Sequence, residues 1–275
     1  MVEQPDSGLI DPVTQTIRFL TLERADGGWI GQPPEWPGEY LFGGFVISQA
    51  LMAASRDAPV GARIHSMHAY FLRPVRANAS IAYHVYDLRQ GRTYTTRRLQ
   101  ATQGSKAVLD MTCSFTADTD GYVYDLPPPA TFPPLTDGTI EQGPGPWEAV
   151  FLGPSPEAED GTRESTHRMW FRIPADLPDD SHLHTALLGF ATDWTGLGGR
   201  PLHLEGDTQG MVSLDHAAWF HRPARVDSWL SYDVRSLVNA GGRGLLRGVI
   251  RNRADQVVVS AAQEMRLAVI SRPLS

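Results

Sequence analysis

From Gly43 the chain is apolar on nearly every side. Phe45, Ile47, Ala50, Leu51, Ala53 and Ala54 fall in GGFVISQALMAAS. A surface helix would keep one polar face, so this run predicts a helix buried all round. Gly43–Gly44 precede it and Pro59–Gly61 close it. Upstream, residues 14–30 read as a strand or short helix and then a turn at Gly27–Gly28. Residues 31–40, with Pro33, Pro34 and Pro37, read as loop. Downstream come four segments of strand character: HSMHAYFLR (65–73), SIAYHVYDLR (80–89), TYTTRRLQATQ (93–103) and KAVLDMTCSFT (106–116), with Gly91 and Gly104 in the connections. Turn signals every ten to twelve residues or so predict an antiparallel meander. One helix with such a sheet is an α+β unit.

Residues 117–165 break the pattern. They hold Pro127 to Pro129, Pro133, Pro134, Pro144, Pro146, Pro154 and Pro156, and an acidic run at Glu157–Asp160. This composition predicts a linker crossing a surface. Then the order restarts. MWFRIP (169–174) is strand-like, and HLHTALLGFATDWTGLGG (182–199) is a second apolar helix ending at glycines. Four strand-like segments follow at 211–223, 228–238, 243–253 and 256–270. HAYFLRP (68–74) aligns with AAWFHRP (217–223) at an offset of 149 residues. The same offset puts Arg97–Arg98 on Leu246–Arg247 and Ser114 on Gln263. A duplicated unit follows: a first half at 1–116, a linker at 117–165 and a second half at 166–275.

Composition narrows the function classes. Apolar residues are 41 % and charged residues 20 % of 275, ordinary for a globular chain and wrong for a disordered one. The net charge of −7 gives no basic face for nucleic acid. A single cysteine, Cys113, excludes a disulfide framework within the chain. The acidic, proline-broken start is not a signal peptide, and FGGFVISQALMAA is too short to cross a bilayer. The expectation is a cytoplasmic protein with no nucleic-acid or membrane partner.

Candidate chemistry is sparse. Asp193 lies in a helix otherwise rich in Ala, Leu and Phe, and reads as a cap, an ion-pair member or a catalytic acid–base group. Gln263 interrupts an apolar run, where a polar amide must find partners. Ser213 alone reads equally as an ordinary strand residue. His65, His68, His216 and His221 flank the aromatic strings; none pairs with a carboxylate at metal-ligand spacing, so no metal site is expected. His65 is the alternative catalytic base, and the other three read as hydrogen-bonded structural residues. Cys113 reads as a buried, inert thiol. No GxSxG elbow supports a serine hydrolase. GLGGRP (196–201) and AGGRG (240–244) lack phosphate-loop spacing and read as a helix stop and a hairpin turn. Arg73, Arg97, Arg98, Arg222 and Arg247 suit either coenzyme A phosphates or the acidic excess.

Together, YLFGGFVISQAL (40–51), HSMHAYFLRP (65–74), SLDHAAWFHRP (213–223), ATDW (191–194) and SAAQE (260–264) resemble the acyl-CoA thioesterase II family over about residues 35–270. The resemblance implies a tandem (double) hotdog, two long antiparallel sheets each wrapped around a central helix. It implies hydrolysis of fatty acyl-CoA to free fatty acid and coenzyme A, a step of lipid metabolism. In that family an Asp, a Ser or Thr and a Gln hold the attacking water. The matching residues here are Asp193, Ser213 and Gln263, with Ser where Thr is common. Asp193 would be the general base, its pKa raised by burial; N–H groups near Gly43–Gly44 are candidate oxyanion donors. No cofactor is implied, coenzyme A being part of the substrate, and a homo-oligomer, dimer or tetramer, is expected by the same resemblance. Two alternatives stay open: a hotdog hydratase or dehydratase, and a non-catalytic acyl-CoA binding protein.

Overall fold

The computed structural model describes residues 12–35, 38–117, 121–129, 132–136, 138–143, 145–157, 159, 167–194 and 212–267. The elements run α1 (Pro12–Leu20), β1 (Leu22–Ala25), β2 (Gly28–Gly31), α2 (Gly43–Ser55), β3 (Arg63–Phe71), β4 (Ile81–Gln90), β5 (Tyr94–Gln103) and β6 (Lys106–Thr116). They continue with β7 (Glu141–Gln142), β8 (Glu148–Gly153), β9 (His167–Arg172), α3 (Ser181–Thr192), β10 (Val212–Phe220), β11 (Leu230–Ala240), β12 (Arg243–Arg251) and β13 (Val257–Arg266). The strands of the described residues form one antiparallel 13-stranded sheet in the order β1-β2-β4-β5-β6-β3-β10-β13-β12-β11-β9-β8-β7. The sheet wraps two central helices, which is the tandem hotdog the sequence resemblance implied. Short strands, β1 and β7, close its two edges, where a long unpaired edge would invite aggregation.

The two halves meet at β3 and β10. Ser66 pairs with Trp219, His68 with Ala217, and Tyr70 with Asp215. His68 and Ala217 are also the first residues of the two aligned strings. The 149-residue offset is therefore a pseudo-twofold axis through that residue pair. The offset grows by one residue in the last strand of each half: Met67 pairs with Cys113, whereas His216 pairs with Gln263. Cys113, and not Ser114, is the counterpart of Gln263. The extra residue is taken up in the β12–β13 hairpin loop, where insertions are tolerated.

Both helices lie in the core because their sequences leave no polar face. In α2, Gly44 to Ala54 are all buried. In α3, Asp180 caps the N-terminus, its side chain accepting from the His182 and Leu183 N–H groups. The helices touch closely at Gly189, where a Cβ would collide with Leu51. The β11–β12 turn uses Gly241 and Gly242 at φ +58° and +72°, as the hairpin reading of AGGRG requires. The 196–201 glycine stretch and the N-terminal segment before Pro12 lie outside the described residues.

The 117–165 stretch differs from a surface linker. It contributes β7 and β8, and β8 extends the sheet by pairing with β9. Trp147, just before β8, is fully buried. Its ring centroid is 5.5 Å from Phe190, 5.2 Å from Trp194 and 5.8 Å from Phe171. Proline composition marks where helices and long strands cannot form; it does not measure burial.

Gln49 ties the N-terminal segment to α2. Its Nε2 donates to the Phe19 and Gln32 carbonyls, and its Oε1 accepts from the Tyr83 hydroxyl. Gln49→Leu strands buried polar groups and is expected to cost about 2 kcal/mol of stability. Urea unfolding measures it, and adding Tyr83→Phe should recover part of the loss. Full additivity of the two substitutions would count against the network.

Candidate active site

Asp193 follows the last residue of α3 and is its C-cap. Ser213 is near the start of β10, and Gln263 lies on β13. The fold brings the three together. The Gln263 Nε2 donates to Asp193 Oδ1 at 2.6 Å and to Ser213 Oγ at 2.7 Å. One amide nitrogen thus bridges the acid and the alcohol. Asp193 and Gln263 are buried, and Ser213 is half-buried.

The electrostatics are those of a carboxylate kept in reserve. Burial raises the Asp193 pKa from 3.8 to about 6. Hydrogen bonds from the Gln263 side chain and the Gly44 backbone N–H oppose the rise. The carboxylate of one helix's C-cap thus sits at the N-terminus of the other helix, where unpaired N–H groups favour negative charge. The absence of a side chain at Gly43 is required here. A Cβ would lie 2.7 Å from Asp193 Oδ2 and 2.8 Å from the Phe71 ring. The Gly44 N–H, expected as an oxyanion donor, instead holds the acid.

The seam residue His216 adds a buried ring that sequence reasoning left among structural histidines. Its Nε2 lies 2.9 Å from Thr192 Oγ1, on the residue preceding Asp193. Nothing in the sequence singled it out: the β10–β13 register is what puts His216 on the same face as its partner Gln263. His65, the alternative base, instead packs its ring 5.6 Å from Tyr94 in the first half. A cleft of about 560 Å³ opens beside Phe45, one residue from Gly44, with Phe19, Pro33, Pro34, Gly145 and Pro146 in its wall.

The described residues of the first half hold no equivalent site. Asp193, Ser213 and Gln263 are replaced there by Arg56, Ile64 and Cys113. Arg97, the counterpart of Leu246, reaches the end of α2 and donates to the Ala54, Arg56 and Asp57 carbonyls, while its Nε meets Asp87 at 2.8 Å. Burial pushes the Cys113 thiol up to about 12, leaving it inert. Arg98 pairs with Asp110 and Arg222 with Asp125, so these arginines answer the acidic excess within the chain.

Comparison with known proteins follows the same division. Residues 32–116 match the family described as acyl-CoA thioesterase N-terminal domain, and residues 149–266 the one described as acyl-CoA thioesterase. The chain is 30 % identical to acyl-CoA thioesterase 2 of Haemophilus influenzae, over 92 % of this chain and 97 % of that one. It is 27 % identical to human acyl-coenzyme A thioesterase 8, over 89 % and 86 % respectively. The solved acyl-CoA thioesterase II of Mycobacterium marinum superposes with a TM-score of 0.79 at 32 % identity, covering 93 % of this chain and 99 % of its own. A duplicated hotdog, a buried acid–alcohol–amide cluster and end-to-end similarity agree: the chain belongs to the acyl-CoA thioesterase II family.

Proposed function

We propose that this thioesterase hydrolyses fatty acyl-CoA by direct attack of a water held between Asp193, Ser213 and Gln263. The observation that carries the reading is the bridging amide of Gln263, which fixes the acid and the alcohol around one point. Near neutral pH a carboxyl that titrates at about 6 is ionised and still basic enough to take a proton. Ser213 Oγ accepts from Gln263, so its own O–H is left to donate to the water or to the thioester oxygen.

The water gives its proton to Asp193 as its oxygen bonds the thioester carbon. The tetrahedral adduct then expels coenzyme A, whose sulfur takes the proton back from Asp193. With the Gly44 N–H holding Asp193, the neighbouring Gly43 N–H is the donor proposed for the developing oxyanion. The cleft at Phe45 is of the size that receives a small ligand and is the proposed entry for the acyl chain. No cofactor takes part. The reading includes a cytoplasmic homo-oligomer, dimer or tetramer; among the described residues no helix is long and apolar enough to cross a membrane.

A single-turnover reaction in 18O-labelled water, with enzyme in excess over acyl-CoA, tests the step. Direct attack puts the label in the first acid released. Unlabelled first-turnover acid with label in Asp193 would mean an acyl-enzyme anhydride instead. Thiol release from acetyl- to palmitoyl-CoA defines the chain-length range, and crotonyl-CoA should not be hydrated.

A further inference from the structure

The amide of Gln263 works only in one orientation. An ionised carboxylate can accept hydrogen bonds but not donate them, so the amide nitrogen must face Asp193. A flipped amide would set its oxygen against the carboxylate. With the nitrogen committed to Asp193 and Ser213, Gln263 Oε1 points back into the protein. It is buried and has no hydrogen-bond partner among the described residues. Something must keep the amide from turning over.

His216 is the register partner of Gln263 across β10 and β13, so the two side chains share the inner face. Its ring is buried, and its Nδ1 has no partner among the described residues. Two unsatisfied atoms, a ring nitrogen and an amide oxygen, thus belong to one cross-strand pair. One arrangement of protons satisfies both. The Thr192 hydroxyl turns from the Gly189 carbonyl to donate to Nε2, and Nδ1–H donates to Gln263 Oε1. In the other tautomer Nε2–H donates to Thr192, whose hydroxyl stays on the Gly189 carbonyl at 2.8 Å. That choice makes as many hydrogen bonds but sets two buried lone pairs, on Nδ1 and Oε1, against each other.

We propose that His216, neutral and protonated on Nδ1, is a positioning residue that locks the Gln263 amide with its nitrogen toward Asp193 and Ser213. The proposal rests on the water-attack reading above and deepens it. The hydrogen-bonded path runs from Thr192 through His216 and Gln263 to Asp193. It closes on itself, since Thr192 and Asp193 are neighbours in the chain. Burial lowers the His216 pKa to about 4, so the ring stays neutral where Asp193 is ionised. Of the ionisable groups around the ring, Asp193 comes from α3 and Tyr232 from β11, its hydroxyl donating to the Thr192 carbonyl. From β3 the ring meets its register partner Ala69. Asp215 and Glu264 alternate to the opposite face of β10 and β13.

His216→Leu is expected to lower kcat about thirtyfold with KM within about threefold, the loss typical of a misplaced reacting group. The acid limb of its pH–rate profile should move upward, because the Gln263 hydrogen bond that holds the Asp193 pKa down is weakened. A merely structural role would not move that limb. His216→Asn, whose Nδ2 lies near the place of Nδ1, should recover most of the rate. On the unaltered protein, 15N shifts of labelled histidine should show the Nδ1–H tautomer for His216 at pH 7. The Nε2–H tautomer, or a folded His216→Leu with the original kcat and pH profile, would overturn the proposal. The tautomer measurement decides even where the Leu variant does not fold. If Asp193→Asn stays active, the water-attack reading falls; if it is inactive while His216→Leu behaves as the original, only this inference falls.

Discussion

Asp193→Asn is expected to lower kcat at least about a hundredfold while raising the melting temperature above pH 6. The first effect is the loss of a general base, which contributes on the order of a hundredfold or more. The amide keeps the volume of the carboxylate, so α2 and α3 need not move. The second effect follows from the same burial that tunes the acid. The folded pKa of about 6 lies above the unfolded value near 3.8. Between those values the folded state binds more protons than the unfolded state, so stability falls as pH rises through the window. Above pH 6 the native protein carries the full cost of an ionised buried carboxylate, about 3 kcal/mol at the usual conversion. Asparagine removes that cost, whereas below about pH 4 both chains should melt alike. Steady-state assays at pH 7 to 8 and melting curves from pH 4 to 8 check both halves. A fully active Asn variant would remove Asp193 as the base; a pH-independent stability difference would remove the account of its pKa.

Trp147→Ala is expected to destabilise the protein by about 3 to 5 kcal/mol, the range for deleting a buried large aromatic. The indole stacks on Phe190 at an interplanar angle of 18° and meets Trp194 edge-on at 73°. Its removal leaves a cavity beside Phe190 and Trp194, which flank Asp193 in the chain. A chain of this size loses roughly 2 to 4 °C per kcal/mol, so the melting temperature should fall by about 10 °C. Thermal and urea unfolding measure it. A loss below about 1 kcal/mol would mean that the 145–153 segment is peripheral to the core. Trp147→Phe, which keeps most of the ring, should lose much less.

Much of this architecture was legible in the sequence because apolar periodicity and burial are one signal read twice. The all-apolar run at 43–55 became the central helix α2, and the strands at 65–116 fell within a few residues of their positions. The aligned strings even located the axis at His68 and Ala217. Two things were not legible. Proline content in 117–165 hid β8 and Trp147, because proline reports on backbone hydrogen bonding and says little about neighbouring side chains. A constant offset misaligned Gln263 by one residue, since nothing in the text announces a longer hairpin loop. At the candidate site, the resemblance named Asp193, Ser213 and Gln263, but only coordinates show one nitrogen joining them. His216 looked like an ordinary strand histidine until its register partner was known.

The occupation of the first half's vacant corner by Arg97 has an evolutionary reading. When two identical polypeptides build a symmetric assembly, any substitution that quiets one centre quiets its twin. Joining both copies in a single gene breaks that tie, and each can then drift on its own. The guanidinium that staples Ala54, Arg56 and Asp57 stands where the other copy sets its acid–alcohol–amide cluster, and so shows how far the two have diverged. The first copy's glycines at the head of α2 serve the other copy instead, since they make the room and the hydrogen bond that Asp193 uses across the seam.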